Sequence, residues 1–334
     1  MVLKVALDAF GGDYAPAEPV AGAVEAARLH GISSLLVGRE AAIKAELAKH
    51  DTAGLDLEVV DAPEVVEMEE HAVQAVRRKR DSSLVVAMEL VRDGRAQAFV
   101  SAGNSGACLA AGLFVLGRIE GIERPAISAL YPTPHGPCLV LDIGANTEVR
   151  PQYLRQFGLL GSVYMEKVLG RARPRVALLA NGEEDTKGTM VVQEAHKLLR
   201  ESDLNFIGNV EGRDVPTGEK ADVIVCDGFT GNVVVKLSEG LSETLFGLIK
   251  EELSSSLLSK LAAAAMMPAF RRIKKRMDYE EYGGAPLLGV KGMVIIAHGR
   301  SKAKAIRNAL RVAQQGAEQN VIEAVMAGLT VPAS

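Results

Sequence analysis

The 334-residue sequence predicts a three-layer α/β fold, a mostly parallel sheet with helices on both faces, and a protruding helical hairpin. Two observations predict it. One unit recurs along the chain: a short apolar run, a tight loop of Gly, Asn, Asp and Ser, and then a helix-forming run. The composition, 48% hydrophobic and 24% charged, is that of an ordinary globular enzyme.

The unit first appears as Lys4–Leu7 before Asp8–Asp13, then as Ala98–Val100 before Ser101–Gly106. It returns as Leu139–Leu141 before Asp142–Asn146, and as Val176–Leu179 before Asn181–Gly188. The fifth case is Val223–Val225 before Asp227–Asn232. Ligands of parallel sheets bind outside the carboxyl ends of the strands, so all five loops are expected to converge on one site. Residues 237–282 are expected to form the helical hairpin, broken or kinked at Pro268. Gly283–Gly289 then leads to a last strand from Met293, and Ser301–Ala327 has the spacing of one surface-packed helix. No low-complexity linker divides the chain, so residues 1–334 are taken as a single catalytic domain.

Composition excludes several classes. Aromatics are 4% with no Trp, which argues against stacking on single-stranded nucleic acid. A net charge of −4 offers no global attraction to nucleic acid. Cys108, Cys138 and Cys226 are too few and wrongly spaced for a disulfide framework or a zinc site, and no other metal-ligand spacing occurs. The P-loop, the dinucleotide fingerprint and the G-x-S-x-G elbow are absent. The opening residues do not read as a signal peptide, and no apolar run reaches the ~18 residues of a membrane span. A soluble or peripheral protein is expected.

Glycine-rich loops that open helices suit an anion, because backbone N–H groups can approach it closely. Ser101–Gly106 is the best such loop, although a helix-capping turn would have the same sequence. Asp8, Asp13, Asp142 and Asp227 are candidate acids or bases, or helix caps. Lys187 could hold phosphate or a developing oxyanion, or pair with Glu183 one turn back. Cys226 reads as a buried apolar residue, not a thiol nucleophile.

Several strings in this order resemble the phosphate acyltransferase (acyl-ACP:phosphate transacylase) family. They are Asp8–Pro16, Ser101–Ala107 (with Ser105 where the family has Thr), Asp142–Asn146, Gly208–Asp214, Cys226–Asn232, Tyr282–Gly289 and Ala297–Gly299. One departure is Ala180-Asn181-Gly182, where the family usually reads Asn-Ile-Gly. The resemblance implies a fold similar to the isocitrate/isopropylmalate dehydrogenase group, a homodimer and no cofactor. It implies transfer of a fatty acyl group from acyl carrier protein to inorganic phosphate, for phospholipid synthesis. The acyl phosphate would pass to a membrane glycerol-3-phosphate acyltransferase. The implied location is the cytoplasm, with peripheral association to the inner face of the plasma membrane and no nucleic-acid partner.

Carried onto this chain, Lys187, Asp227 and Asn232 are the expected catalytic residues. Expected substrate and phosphate contacts are Asp8, Gly11, Gly12, Asp13, Ser101, Gly103, Asn104, Ser105, Gly144 and Asn146, with Glu183, Gly228, Thr230, Gly231, Gly284, Pro286 and His298. From apolar residues at helical spacing and a basic run at 271–276, Leu257, Leu261, Phe270, Arg271, Arg272, Lys274 and Lys275 would meet the membrane, although a dimer-interface helix pair would carry the same pattern and the basic run could also dock the acidic carrier protein. Two enzyme alternatives are a short-chain phosphotransacylase using acyl-CoA and a dehydrogenase of the related fold. A third is a non-catalytic acyl-carrier-binding protein.

Overall fold

The computed structural model describes residues 3–277 and 279–330, apart from the side chains at 257, 274–277, 279, 280 and 330. The chain begins β1 (Lys4–Asp8), α1 (Ala17–His30), β2 (Ser33–Gly38), α2 (Glu40–Leu47) and β3 (Leu57–Asp61). It continues with α3 (Ala72–Arg78), α4 (Ser83–Arg92), β4 (Ala98–Ser101), α5 (Ser105–Ala111), β5 (Ala126–Tyr131) and β6 (Cys138–Leu141). Next come α6 (Pro151–Leu169), β7 (Val176–Leu179), α7 (Met190–Arg200), β8 (Phe206–Val210) and β9 (Val223–Val225). The hairpin helices α8 (Gly228–Ser254) and α9 (Leu257–Met277) precede β10 (Ala285–Leu288), β11 (Met293–Ile296), α10 (Ala303–Glu318) and α11 (Val321–Thr330).

The strands form one 11-stranded sheet in the order β3-β2-β1-β4-β11-β10-β5-β6-β9-β7-β8. Side chains alternate between its faces: Val5 and Leu7 belong to the core that also holds residues of α1, α6, α10 and α11, while Ala6 belongs to the core that holds residues of α3, α4 and α5. Burial on both faces is why the strands read as unbroken apolar runs. The three layers follow directly.

Strand direction corrects the expected convergence. β10 pairs antiparallel with both β11 and β5, and β5 pairs antiparallel with β6. The block β3-β2-β1-β4-β11 therefore runs one way and the block β6-β9-β7-β8 runs the other. Loops after β1, β4 and β11 leave one edge of the sheet, and loops after β6, β7 and β9 leave the opposite edge. Five loops do not share one edge; they form two sets. Register keeps the sets close in height, because Ile127 pairs with Leu287, Leu287 with Val294, and Ser101 with Ile296. Asp142, which follows the Leu141–Ser128 pair, sits about two residues from the level of Ser101. The two loop bases are thus ~7 Å apart along the strands and ~19 Å apart across four strand spacings.

Two helix expectations also change. The hairpin turns at Ser255-Ser256, not at Pro268, and α9 continues through that proline. Serine side chains compete for backbone groups there: Ser256 Oγ accepts from Ser259 N–H at 3.1 Å and starts the new helix. The terminal stretch is two helices, because Asn320 takes φ 51° and ends the first.

Candidate active site

The first loop set is built on a buried carboxylate. Asp8 ends β1 with 2% of its surface exposed, and Ser101 ends β4 fully buried. Ser101 Oγ donates to Asp8 Oδ2 at 2.7 Å and accepts from Gly103 N–H at 2.9 Å. Ser83 and the Phe10 N–H also bond to Asp8. Burial pushes the Asp8 carboxyl above its ordinary range, against the pull of these bonds. Asp8 and Ser101 therefore shape the loops from beneath and face no solvent. Gly11 runs so close above them that a β-carbon there would stand 2.6 Å from Ser101 Oγ and 2.7 Å from Gly103 N.

Asn104 is committed as well. Its Oδ1 caps α5 by accepting from Ala107 N–H at 3.0 Å, and its Nδ2 donates to the Met68 and Glu70 carbonyls. The turn after β11 completes the set, with the Asp13 N–H donating to Gly299 O at 2.8 Å. Beside Gly12, the exposed groups are Asp13, Ser105 and His298; His298 Nδ1 accepts from Arg300 N–H at 3.2 Å.

The second set is built on another buried carboxylate. Asp142 Oδ1 accepts from the N–H groups of Ile127, Gly144 and Ala145, and Oδ2 accepts from Asn146 N–H at 2.6 Å and Asn146 Nδ2 at 2.8 Å. Asp142 is fully buried, and burial pushes its carboxyl upward. Asn146 O in turn accepts from Gly228 N–H at 2.7 Å, which locks this loop to the start of α8. Asp227 caps α8: its two oxygens accept from Thr230 N–H at 2.8 Å and Thr230 Oγ1 at 2.7 Å, and Gly231 N–H donates to its carbonyl. Asn232 is exposed, with Nδ2 donating to Ile143 O at 3.1 Å. Cys226 lies beneath, its thiol pushed well up by burial, so it is no nucleophile.

Lys187 joins this second set, because β7 neighbours β9 and runs parallel to it. Its aliphatic stem lies on Gly182, where a β-carbon would stand 2.7 Å from Lys187 Cγ. Asn181, displaced in the sequence, closes the loop by accepting from Gly188 N–H at 2.8 Å. The expected Lys187–Glu183 alternative does not form. Glu183 pairs with Lys220 at 2.8 Å and Arg213 at 3.5 Å, and the Lys220 hydrogen bond holds its carboxyl below the usual range. A carboxylate so engaged is no phosphate ligand. Asp185 is taken by Arg200 at 2.8 Å. Among the described residues, Lys187 has no ion pair, and its ammonium is exposed. Pro286 is removed from the candidates too: it lies buried within β10 between β11 and β5, its carbonyl accepting from Ser128 Oγ, with Gly284 just ahead of the strand.

A family model described as "Fatty acid synthesis protein" matches residues 3–324. The chain belongs to that family. One family relative, named phosphate acyltransferase, from Heliobacterium modesticaldum, is 56% identical over 97% of this chain and 96% of its own length. Among solved structures, a phosphotransacetylase from Streptococcus pyogenes matches with a TM-score of 0.64 at 17% identity, covering 95% of this chain and 94% of its own. A Salmonella typhimurium protein assigned as a 4-hydroxythreonine-4-phosphate dehydrogenase matches with a TM-score of 0.56 at 15% identity, covering 94% and 99%. At such identity these structures share the fold alone. It is the fold expected here, an α/β sheet common to phosphotransacetylases and dehydrogenases.

In this family member the hairpin carries more exposed apolar surface than α9 alone predicted. Leu237, Leu241, Leu245 and Leu248 repeat at helical spacing along α8, with Leu237 68% exposed. On α9, Leu261 is 64% exposed, Arg271 and Arg272 are exposed, and Phe270 is half-buried. The side chains of Leu257, Lys274 and Lys275 lie outside the described residues. The α8 leucines escaped the sequence reading although their i, i+4 spacing was there to find. Among the described residues no helix is long and apolar enough to cross a membrane.

Proposed function

We infer that this chain transfers a fatty acyl group from acyl carrier protein to inorganic phosphate, for phospholipid synthesis. The observation that carries the mechanism is Lys187, exposed and without an ion pair among the described residues, while two of the three acids of its loop, Glu183 and Asp185, pair with other cations. A phosphate oxygen attacks the thioester carbonyl carbon, the C–S bond breaks, and the carrier thiolate leaves and takes a proton. Lys187 balances phosphate charge or the tetrahedral oxyanion, and Asn232 and the Asp227–Thr230 cap position the nucleophile. Gly12 and Ser105 offer backbone N–H groups to the phosphate from the first loop set, while those of Gly11 and Gly103 are engaged by Asp8 O and Ser101 Oγ and shape the loop, with Asp13 and His298 at the rim. No cofactor enters this scheme. Incubating the protein with long-chain acyl carrier and phosphate, then trapping with hydroxylamine, should yield the acyl hydroxamate. No hydroxamate would overturn the reading.

The exposed stripe on α8 and α9 supports two further parts of the reading: pairing with a second copy as a homodimer, and peripheral contact with an anionic membrane through Leu261, Phe270, Arg271 and Arg272. That contact would release acyl phosphate beside the membrane glycerol-3-phosphate acyltransferase that consumes it. Leu258, 78% exposed, lies beside Leu261 on the same helix, and a Leu258→Glu, Leu261→Glu variant should lose flotation with anionic liposomes while sedimenting as the unaltered protein does. Unchanged flotation would remove the membrane contact.

A further inference from the structure

We propose that Arg77, Arg78 and Arg80, at the end of α3, form the docking surface for an acidic carrier protein that presents the acyl thioester. The proposal rests on the acyl-transfer reading above and adds the place where the carrier sits.

The sequence Arg77-Arg78-Lys79-Arg80 puts four cations together, and the structure treats them unequally. Lys79 turns inward, where its Nζ bonds to Glu70 Oε2 and Val65 O, both at 2.6 Å. The three arginines are exposed, and among the described residues none forms an ion pair. Some arginines elsewhere have carboxylate partners, such as Arg92 with Glu89 and Arg175 with Asp222, and others have none; what marks this set is three such side chains within four residues. A helix C-terminus favours nearby cations, which accounts for Arg77 and Arg78 in the last turn. It does not account for Arg80 beyond the end.

The patch also has an apolar centre. The Arg77 guanidinium lies over the Phe114 ring, 5.0 Å from its centroid, and that ring is 46% exposed. Val73, one turn back from Arg77 on α3, is exposed beside it. Arginine and aromatic groups around a small apolar centre are what protein interfaces concentrate.

Position links the patch to the reaction. α3 starts against the first loop set, where Ala72 meets Gly106 and the Asn104 amide holds the Met68 and Glu70 carbonyls. Arg77 lies five residues further, ~7.5 Å along the helix. A carrier seated on the arginines is therefore beside the loops that receive its thioester. The exposed acids Glu67 and Glu69 stand before the other end of α3. An anionic bilayer would be repelled by those carboxylates, whereas a small protein can set its acids against the arginines and its own cations against Glu67 and Glu69. Charge of both signs fixes its orientation.

The test uses Arg78→Glu, Arg80→Glu, which keeps the Arg77–Phe114 stack, with Arg78→Lys, Arg80→Lys as the charge-preserving control. Titration of the full chain with the carrier, read without turnover, should give a Kd raised about tenfold or more in the first variant and nearly restored in the second. In turnover, KM for the acyl carrier should rise while kcat and the phosphate KM stay unchanged. An unchanged carrier Kd overturns the docking surface whatever turnover does. Loss of flotation on anionic vesicles with unchanged carrier Kd assigns the patch to lipid and also overturns it. Absence of acyl phosphate from the unaltered protein, with carrier Kd still responding to the arginines, overturns the acyl-transfer reading and leaves the docking surface standing.

Discussion

Lys187→Ala is expected to lower kcat by about a hundredfold or more, the scale of removing one charged stabiliser from a preorganised site. The expectation comes from the charge arrangement around the Asn181–Gly188 loop. Glu183 is held by Lys220 and Arg213, and Asp185 by Arg200, so neither competes for the Lys187 ammonium. The lysine stem rests on bare backbone at Gly182. Gly182→Ala should therefore act in the same direction as Lys187→Ala, by displacing the stem without removing the charge. Lys187→Arg should recover part of the activity, since the charge remains but the fit on Gly182 does not. Steady-state kinetics at varied phosphate would separate lost binding from lost transition-state stabilisation. If Lys187→Ala turned over within twofold of the unaltered protein with normal phosphate dependence, the lysine would have no catalytic part.

The largest loss of stability is expected from Asp142→Ala. The carboxylate receives bonds from four backbone N–H groups and the Asn146 amide inside a fully buried site. Removing the acceptor strands several donors, each costing about 1–3 kcal/mol when left unsatisfied, so at least ~3 kcal/mol should be lost. Asp142→Asn is not a rescue. It keeps an oxygen for Ile127, Gly144 and Ala145 but aims an NH2 group at the Asn146 donors. Both variants should shift the urea unfolding midpoint downward, alanine at least as far as asparagine. A shift below about 1 kcal/mol for alanine would mean that water replaces the carboxylate, and that the loop is not held as described.

Much of this was legible in the residues. Six strands and their loops stand where apolar runs meet Gly, Asn and Asp, because burial on both sheet faces writes a continuous apolar signal. Direction was not legible. An apolar run reads the same for a strand running either way, and the hairpin turns at 132–137 and 289–292, rich in Pro and Gly, do not by themselves say which strands of the sheet they reverse. Pro286 even argues against a central strand in sequence terms. The candidate aspartates were legible as residues but not as roles. Asp8 and Asp142 proved to be acceptors beneath the loops and Asp227 a helix cap, since a buried acceptor, a cap and a catalytic acid all place Asp at the same βα junction. Lys187 was legible as a candidate, and what the structure adds is that Glu183 and Asp185 of its loop pair with other cations.

The place of β11 has a consequence for how the chain is made. β4 pairs with β1 on one side and with Met293–Ile296 on the other, while α10 packs on α1 through the Glu18–Ala303 bond and the Arg307–Glu25 pair. As the chain leaves the ribosome, four of the five strands of the first block are complete in sequence by residue 101, yet the β4 edge stays open until nearly two hundred more residues have been synthesised. Over that interval the nascent first half presents an unpaired apolar edge, the kind of surface that recruits chaperones or neighbouring chains. Strand β11 and helix α10 are thus the seal that ends the chain's exposure during birth, and a stop codon ahead of β11 would yield an aggregating fragment, not a smaller enzyme.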